Sequence, residues 1–577
     1  MDSGKKILKQ YLPDFAVILA LLVTTLVSWF PFFQTGFKQT ITSFPSFGQD
    51  QMHYIARAHS IWLGKKPQDS FVPSESELAD GLGNFAEYLF FLPSRLPLLD
   101  QLNFPAYFYS VLVFSTLIAL MSCYSFFKYL TTSRINSISL SIMFIFCSQF
   151  IDLSGLHFPA MPIFSRWPTP MLHYFLIFVL LRVILDKELR YRKIVGSLSL
   201  AFGFYLYLYT WQLMLALICA ALVMNFFRRN ILEIKQIAII VGFGSTLATP
   251  MLIGIADLML GDRENTLLEF AFRLEETHAP SLGKMTTLLI ILLLFMSIMR
   301  SRFSLRILDF VFICTLGSVV VSNQQIVTGK LLQPGHFHWY FTAPMLFSIV
   351  TIMILSLRKL RRVNCLTAIF LALILSVNQL QVYSTARSEA QLQSRIALSP
   401  SQIQRLDDVV FTQNSAVLDQ LATSYSGDLL WHSFGIYYEG SEKMASEAVI
   451  FSSVWMGAES PIDFSAAEIN CPSFDSDPCS TLRMILGSVS GMDWWSYLEN
   501  RSPVQKSLLN NDSFLKDQLY LAAENPKKYF TKVVSNYGVK SIITSEPATE
   551  YQKELMGKNW QLESNDGRFW IYREITS

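Results

Sequence analysis

Apolar runs long enough to cross a hydrocarbon layer of about 30 Å recur about eleven times in the first two-thirds of the chain. They fall near 14–33, 106–127, 136–153, 170–185, 194–211, 212–227, 236–256, 285–299, 307–322, 341–357 and 364–382, the fourth and sixth being short. The composition fits a chain for which lipid is part of the solvent. Of 577 residues, 51% are hydrophobic and 16% charged, where a soluble globular chain carries about a quarter charged. The first run is too long for the apolar core of a secretion signal and leads to no small-residue cleavage site, so it reads as a retained helix.

The basic residues set an orientation. Lys5, Lys6 and Lys9 precede the first run, and Lys128 and Arg134 flank the turn after the second. Lys187, Arg190, Arg192 and Lys193 follow the fourth run, and Arg228, Arg229 and Lys235 the sixth. Arg300, Arg302 and Arg306 follow the eighth; Arg358, Lys359, Arg361 and Arg362 follow the tenth. Every alternate short loop is basic, which places those loops and the N-terminus in the cytoplasm. An odd number of spans then leaves the C-terminal part outside. The expected fold is a polytopic α-helical membrane protein of about eleven transmembrane helices over 1–384, followed by an extracytoplasmic soluble α/β domain over 385–577. A bacterial cytoplasmic membrane is the expected location.

Within the C-terminal part, 428–431, 448–451 and 539–543 read as strands, 401–421 and 513–523 as helices, and 568–573 as a terminal strand. This part carries no glycine-rich phosphate loop, no GxSxG and no HExxH. Five of the seven cysteines lie in or beside apolar runs; Cys471 and Cys479 close a short loop and, in an oxidising compartment, read as a disulfide. The net charge is only +2, and no basic face with interleaved aromatics appears, so a nucleic-acid partner is not expected.

The long loops all lie on the outer side: 34–105, 154–169, 257–284 and 323–340. Loops held by a rigid scaffold are where function concentrates. In the first, the stretch 48–64 places Asp50 where a helix starts. Met52, Ile55, Ile61 and Trp62 make an apolar side, with His53, Arg57 and Lys65 facing elsewhere, a pattern suited to a helix along the membrane surface. Asp50 has a plain structural role open to it, capping the first turn. Further on, Asp80 to Tyr88, with Glu87, can shape a sugar pocket or simply turn into a second surface helix. In the loop near 323–340, Asn323, Gln324 and Gln325 offer donors and acceptors for hydroxyl groups. Trp339 and Tyr340 suit stacking on a sugar ring or an interfacial belt. His336 and His338 lack an evident third metal ligand.

A first span, then a large outer loop opening on an acidic residue, with Asp50, Tyr54, Ala58 and Gly64 at these spacings, resembles the GT-C glycosyltransferases. These include protein O-mannosyltransferases, oligosaccharyltransferase catalytic subunits and lipid A aminoarabinose transferases. The resemblance covers 1–384. It implies a polyprenyl-phosphate-linked sugar as donor, a glycan, lipid or protein as acceptor, and inverting transfer on the extracytoplasmic face. Asp50 is then the general base, since an attacking hydroxyl needs a proton acceptor. His53, Tyr54, Glu87, Gln324, Gln325, His336 and His338 become candidate substrate contacts. Arg57, Arg166 and Lys330 become candidate partners of the leaving phosphate, whose charge requires cations, magnesium or manganese included. Many members carry a paired acidic signature where this chain has Asp50-Gln51, and that departure weakens a metal at this spot. Other readings are a polysaccharide polymerase using lipid-linked oligosaccharides, a transporter, and a non-catalytic relative. Transport is disfavoured because the apolar runs hold few ionisable residues and show no internal repeat.

Overall fold

The computed structural model describes residues 16–30, 50–65, 88, 104–146, 169–253, 278–328, 337–357, 398–406, 409–412, 417, 420–421, 425, 427–429, 447, 450–451, 454–455, 521–522 and 524–575, the side chains of some helical residues excepted. They form two hydrophobic cores, one among long apolar helices and one beneath a small sheet.

The helices are α1 (Ala16–Phe30), α2 (Asp50–Leu63), α3 (Phe104–Thr131), α4 (Arg134–Phe146), α5 (Thr169–Leu185) and α6 (Arg192–Leu206), followed by α7 (Leu208–Phe227), α8 (Ile231–Leu247), α9 (Lys284–Ile298) and α10 (Leu305–Val321). A single helical turn (Gln325–Thr328) and a π-helical turn (His338–Thr342) precede α11 (Ala343–Leu357). Among the described residues, α3 over Ala106–Thr131 and α7 over Tyr209–Phe227 are long and apolar enough to cross a membrane. Several of the others are shorter apolar helices. The 28 residues of α3 extend about 42 Å at 1.5 Å per residue. The eleventh expected span, 364–382, lies outside the described residues.

Boundaries follow from local chemistry. Lys128 closes α3 by donating from Nζ to the carbonyl of Thr132, 2.7 Å away, which suits a cation at a helix C-terminus. Asn230 starts α8 by accepting the backbone N–H of Glu233, and Ser304 starts α10 by accepting that of Ile307. One boundary differs from the sequence expectation. The fifth and sixth expected spans meet at Tyr207, whose extended backbone (φ −169°, ψ 141°) separates α6 from α7. The sixth span is therefore a full 20 residues rather than short. The apolar pattern runs unbroken through this corner, so hydropathy does not mark it.

The rings of Phe126, Phe178 and Phe310 bind α3, α5 and α10 together, with centroids 5.4 and 5.3 Å from Phe126. Trp29 on α1 donates from Nε1 to Oγ1 of Thr116 on α3, 3.1 Å away. The basic hairpins gather at one end of the helices. There Tyr129 lies between two guanidiniums, Arg182 at 4.4 Å and Arg306 at 4.8 Å from the ring centroid, an attractive cation–π arrangement. Arg182 also pairs with Asp186 at 2.7 Å, and Arg228 grips Asp309 with both arms of its fork. Arg192 is buried. It donates to the carbonyls of Val183 and Ile184 at 2.6 and 3.2 Å and pairs with buried Glu233 at 2.8 Å. One side chain thus ties the end of α5 to the starts of α6 and α8.

The described C-terminal residues form a five-stranded mixed sheet in the order β2-β1-β3-β5-β4. The strands are β1 (Val409–Thr412), β2 (Asp428–Leu429), β3 (Val539–Thr544), β4 (Trp560–Asn565) and β5 (Trp570–Glu574). β1 runs parallel to β2 and β3, while β5 lies antiparallel between β3 and β4. α12 (Pro526–Tyr537) and α13 (Glu550–Met556) accompany it. α12 starts on an Asn525 cap with Pro526 behind it, and α13 on a capping box of Thr549 and Gln552. Phe530 stacks on Phe451 at 5.4 Å. Tyr537 donates to the buried Glu447 carboxylate at 2.6 Å, and burial together with Glu447 pushes the Tyr529 phenol up.

Two sequence expectations change here, and one strand had none. Val409–Thr412 is a strand inside the stretch expected to be helical, because its Val-Val-Phe-Thr run is β-branched and aromatic. Ile450 and Phe451 are helical rather than extended, as short apolar runs suit either state. β4 carried no expectation at all, being largely polar and half exposed.

Candidate functional site

α2 is the element that positions the candidate base. It begins at Asp50 and ends at Leu63, and Gly64 follows with φ 81°, a conformation that glycine adopts without a Cβ clash. The Gly64 position in the GT-C-like pattern thus has a local cause: it stops the helix.

Burial of α2 differs from the amphipathic expectation. Ile55, Ala58 and Ile61 are buried, but so are Arg57 (8% exposed), His59 and Ser60. Trp62 packs its ring 5.8 Å from Phe104 and 5.2 Å from Tyr107, both at the start of α3, and His59 lies 4.8 Å from Phe104. Among the described side chains of α2, those of 55 and 57–61 are buried, so burial there is wider than a single apolar stripe. A buried guanidinium is costly unless paired, so Arg57 is a committed side chain rather than a solvated one.

The other sequence-derived candidates separate into three groups. The side chains of Asp50, His53, Tyr54 and His338 lie outside the described residues, although the backbone places the first three in α2 and His338 in the π-helical turn. Glu87, Arg166, Lys330, His336, Cys471 and Cys479 lie wholly outside them. Gln324 and Gln325 are described. Gln325 is fully buried and donates from Nε2 to the carbonyl of Ala279 at 3.0 Å. Beside it, Asn323 accepts the N–H of Ser281 at 2.7 Å, and Nδ1 of His278 lies 3.1 Å from the carbonyl of Ile326. These amides stitch segment 278–281 to segment 323–326, which removes Gln325 Nε2 from the groups free to meet a sugar. Gln325 Oε1 is buried without a hydrogen-bond partner among the described residues.

Among the described residues, no group of three or more His, Cys, Asp or Glu side chains is placed to hold a metal ion. Asp50, where the lone carboxylate weakens the case for a metal, has its side chain outside that set.

A second polar cluster was not among the sequence candidates. His173, in the second turn of α5, is 3% exposed and places Nδ1 3.0 Å from Oγ1 of Thr210, in the first turn of α7. The ring of Tyr340, from the π-helical turn, lies 6.2 Å from the His173 ring, and Tyr209 packs against Phe337 at 5.2 Å. The signal was present as a lone histidine inside the apolar run 170–185. Its partner, 37 residues on, shares no local pattern with it. No protein-family model matches the chain, and no curated protein sequence matches it.

Proposed function

We propose that the chain is a multi-pass membrane glycosyltransferase of the GT-C type. It moves a sugar from a polyprenyl-phosphate carrier to an acceptor on the extracytoplasmic face, with Asp50 as general base. The observation that carries this is the burial of α2: a helix opening on Asp50 buries Ile55, Ala58 and Ile61 and packs His59 and Trp62 against the start of a 28-residue apolar helix. A base must sit in one place relative to the acceptor hydroxyl, and a packed helix supplies that fixity where a free loop does not. Arg57, buried in the same helix, supplies positive charge within two turns of Asp50, suited to a departing phosphate. Two further circumstances support the topology: the apolar helices, and the clustering of the basic hairpins at one end.

The test is transfer from a labelled polyprenyl-phosphate sugar by purified protein. Asp50→Asn should lower turnover by about 10²-fold or more, the scale of general-base loss, with the melting temperature unchanged. Turnover equal to wild type removes Asp50 from the mechanism. The specific observation favouring a carrier instead is His173, an ionisable side chain buried within a span. Counterflow in proteoliposomes without covalent transfer is the signature of that reading.

A further inference from the structure

Among the described residues, His173 is hydrogen-bonded through one ring nitrogen only. Nδ1 meets Thr210, whereas Nε2 is buried with no hydrogen-bond partner among the described residues, and so is the hydroxyl of the adjacent Tyr174. A native structure pairs nearly all its buried polar atoms, and an orphan calls for an explanation. Around it converge the starts of α5 and α7 and the π-helical turn that leads into α11. Helix starts present backbone N–H groups and the positive end of the helix dipole. The cluster thus assembles imidazole, phenol and amide donors, and its described members include no carboxylate. Such a donor set complements an anion.

Depth and surroundings narrow the class. His173 lies four residues inside α5, about 6 Å along its axis, walled by Tyr340 and, nearby, by Tyr209 and Phe337. A site near the outer end of an expected span would meet a lipid headgroup, and the aromatic wall suits an apolar tail. A π-helical turn departs from the regular helical ladder and recurs at functional positions.

We propose that the His173–Thr210 pair is a phosphate-monoester subsite: Thr210 donates to Nδ1, fixing the ring proton on Nε2, and Nε2 donates to a phosphate oxygen. The subsite rests on the transferase reading, whose donor is a phosphodiester and whose departing lipid phosphate is such a monoester, yet it is a matter of binding and does not depend on Asp50.

The full-length protein in detergent is titrated calorimetrically with farnesyl phosphate, farnesol and inorganic phosphate. Farnesyl phosphate should bind the wild type and Asp50→Asn alike. His173→Gln, whose amide reaches the Nε2 position, should retain binding; His173→Asn, which keeps only the group facing Thr210, should weaken it about tenfold or more. Absence of binding by inorganic phosphate identifies a lipid as the source, and equal binding identifies the free ion. Farnesol binding as well as its phosphate overturns the subsite. So does the reverse pattern, with Asn restoring and Gln failing, which marks a purely structural pair. Should His173→Asn not fold, Thr210→Val carries the test, because it releases the tautomer: affinity unchanged from wild type overturns the assignment. Phosphate binding that persists with no transfer activity separates this subsite from the role of Asp50.

Discussion

Removing the guanidinium of Arg192 strips three helices of a partner at once. The Glu233 carboxylate would remain buried without its cation, and the carbonyls of Val183 and Ile184 would lose a donor. Breaking one side of a buried pair costs far more than the pair contributes, because the orphaned charge stays out of water; about 3–5 kcal/mol is the usual range. Arg192→Ala should therefore lower the unfolding free energy by about that amount, read as a fall in detergent melting temperature. Arg192→Met with Glu233→Met should recover most of the loss. A single substitution costing under about 1 kcal/mol would show that the clamp contributes little. Arg57 differs in kind: it is as deeply buried, but it sits in the helix that opens on the candidate base. What the sequence offered at this scale was residue type, not commitment. Arg57 was expected to face away from the apolar side and Gln325 to be available to a sugar. The structure buries the one and ties an arm of the other to Ala279, because burial depends on segments distant in sequence.

Between elements, close approach decides more than composition. α7 and α10 meet where Gly317 faces Leu217: a Cβ on that glycine would lie 2.8 Å from Leu217 Cδ2 and 3.6 Å from its Cα. Gly317→Leu should push the helices apart at a cost of about 1–3 kcal/mol, the usual scale of overpacking. Leu217→Ala in the same chain should restore part of it, and a melting temperature unmoved by Gly317→Leu would refute this packing. Helix existence was legible in hydropathy, and α3, α4, α5, α9, α10 and α11 lie where apolar runs predicted them. The break at Tyr207 was not, since Leu206, Tyr207 and Leu208 are apolar on both sides of a change that is purely conformational. The strand Val409–Thr412 went unread for a related reason. Four residues carry too little periodicity to outweigh a helical neighbourhood, and β1 is fixed by pairing with β3, about 130 residues later.

For the whole molecule, the prediction concerns sidedness. Lys187 lies exposed in the connection between α5 and α6, at the basic end, and Lys558 lies exposed before β4. A membrane-impermeant maleimide should label Lys558→Cys in intact cells, and Lys187→Cys only after permeabilisation. The opposite result would invert the topology and put Asp50 on the wrong face for an extracytoplasmic acceptor. The candidate site was half legible: Asp50 was visible as a helix start after a first span, whereas His173 and Thr210 become a pair only through the packing of α5 on α7.

The strand order carries a consequence for synthesis. β5 is the latest of the five strands to be made, yet it occupies an interior place with neighbours on both edges. Until the ribosome has released residues through Glu574, β3 and β4 share no partner, and the aromatic layer under them has no roof. Closure of this sheet must therefore follow translation of every helix before it, so a nascent chain stalled short of Trp570 would expose β3 to whatever chaperone or protease waits there.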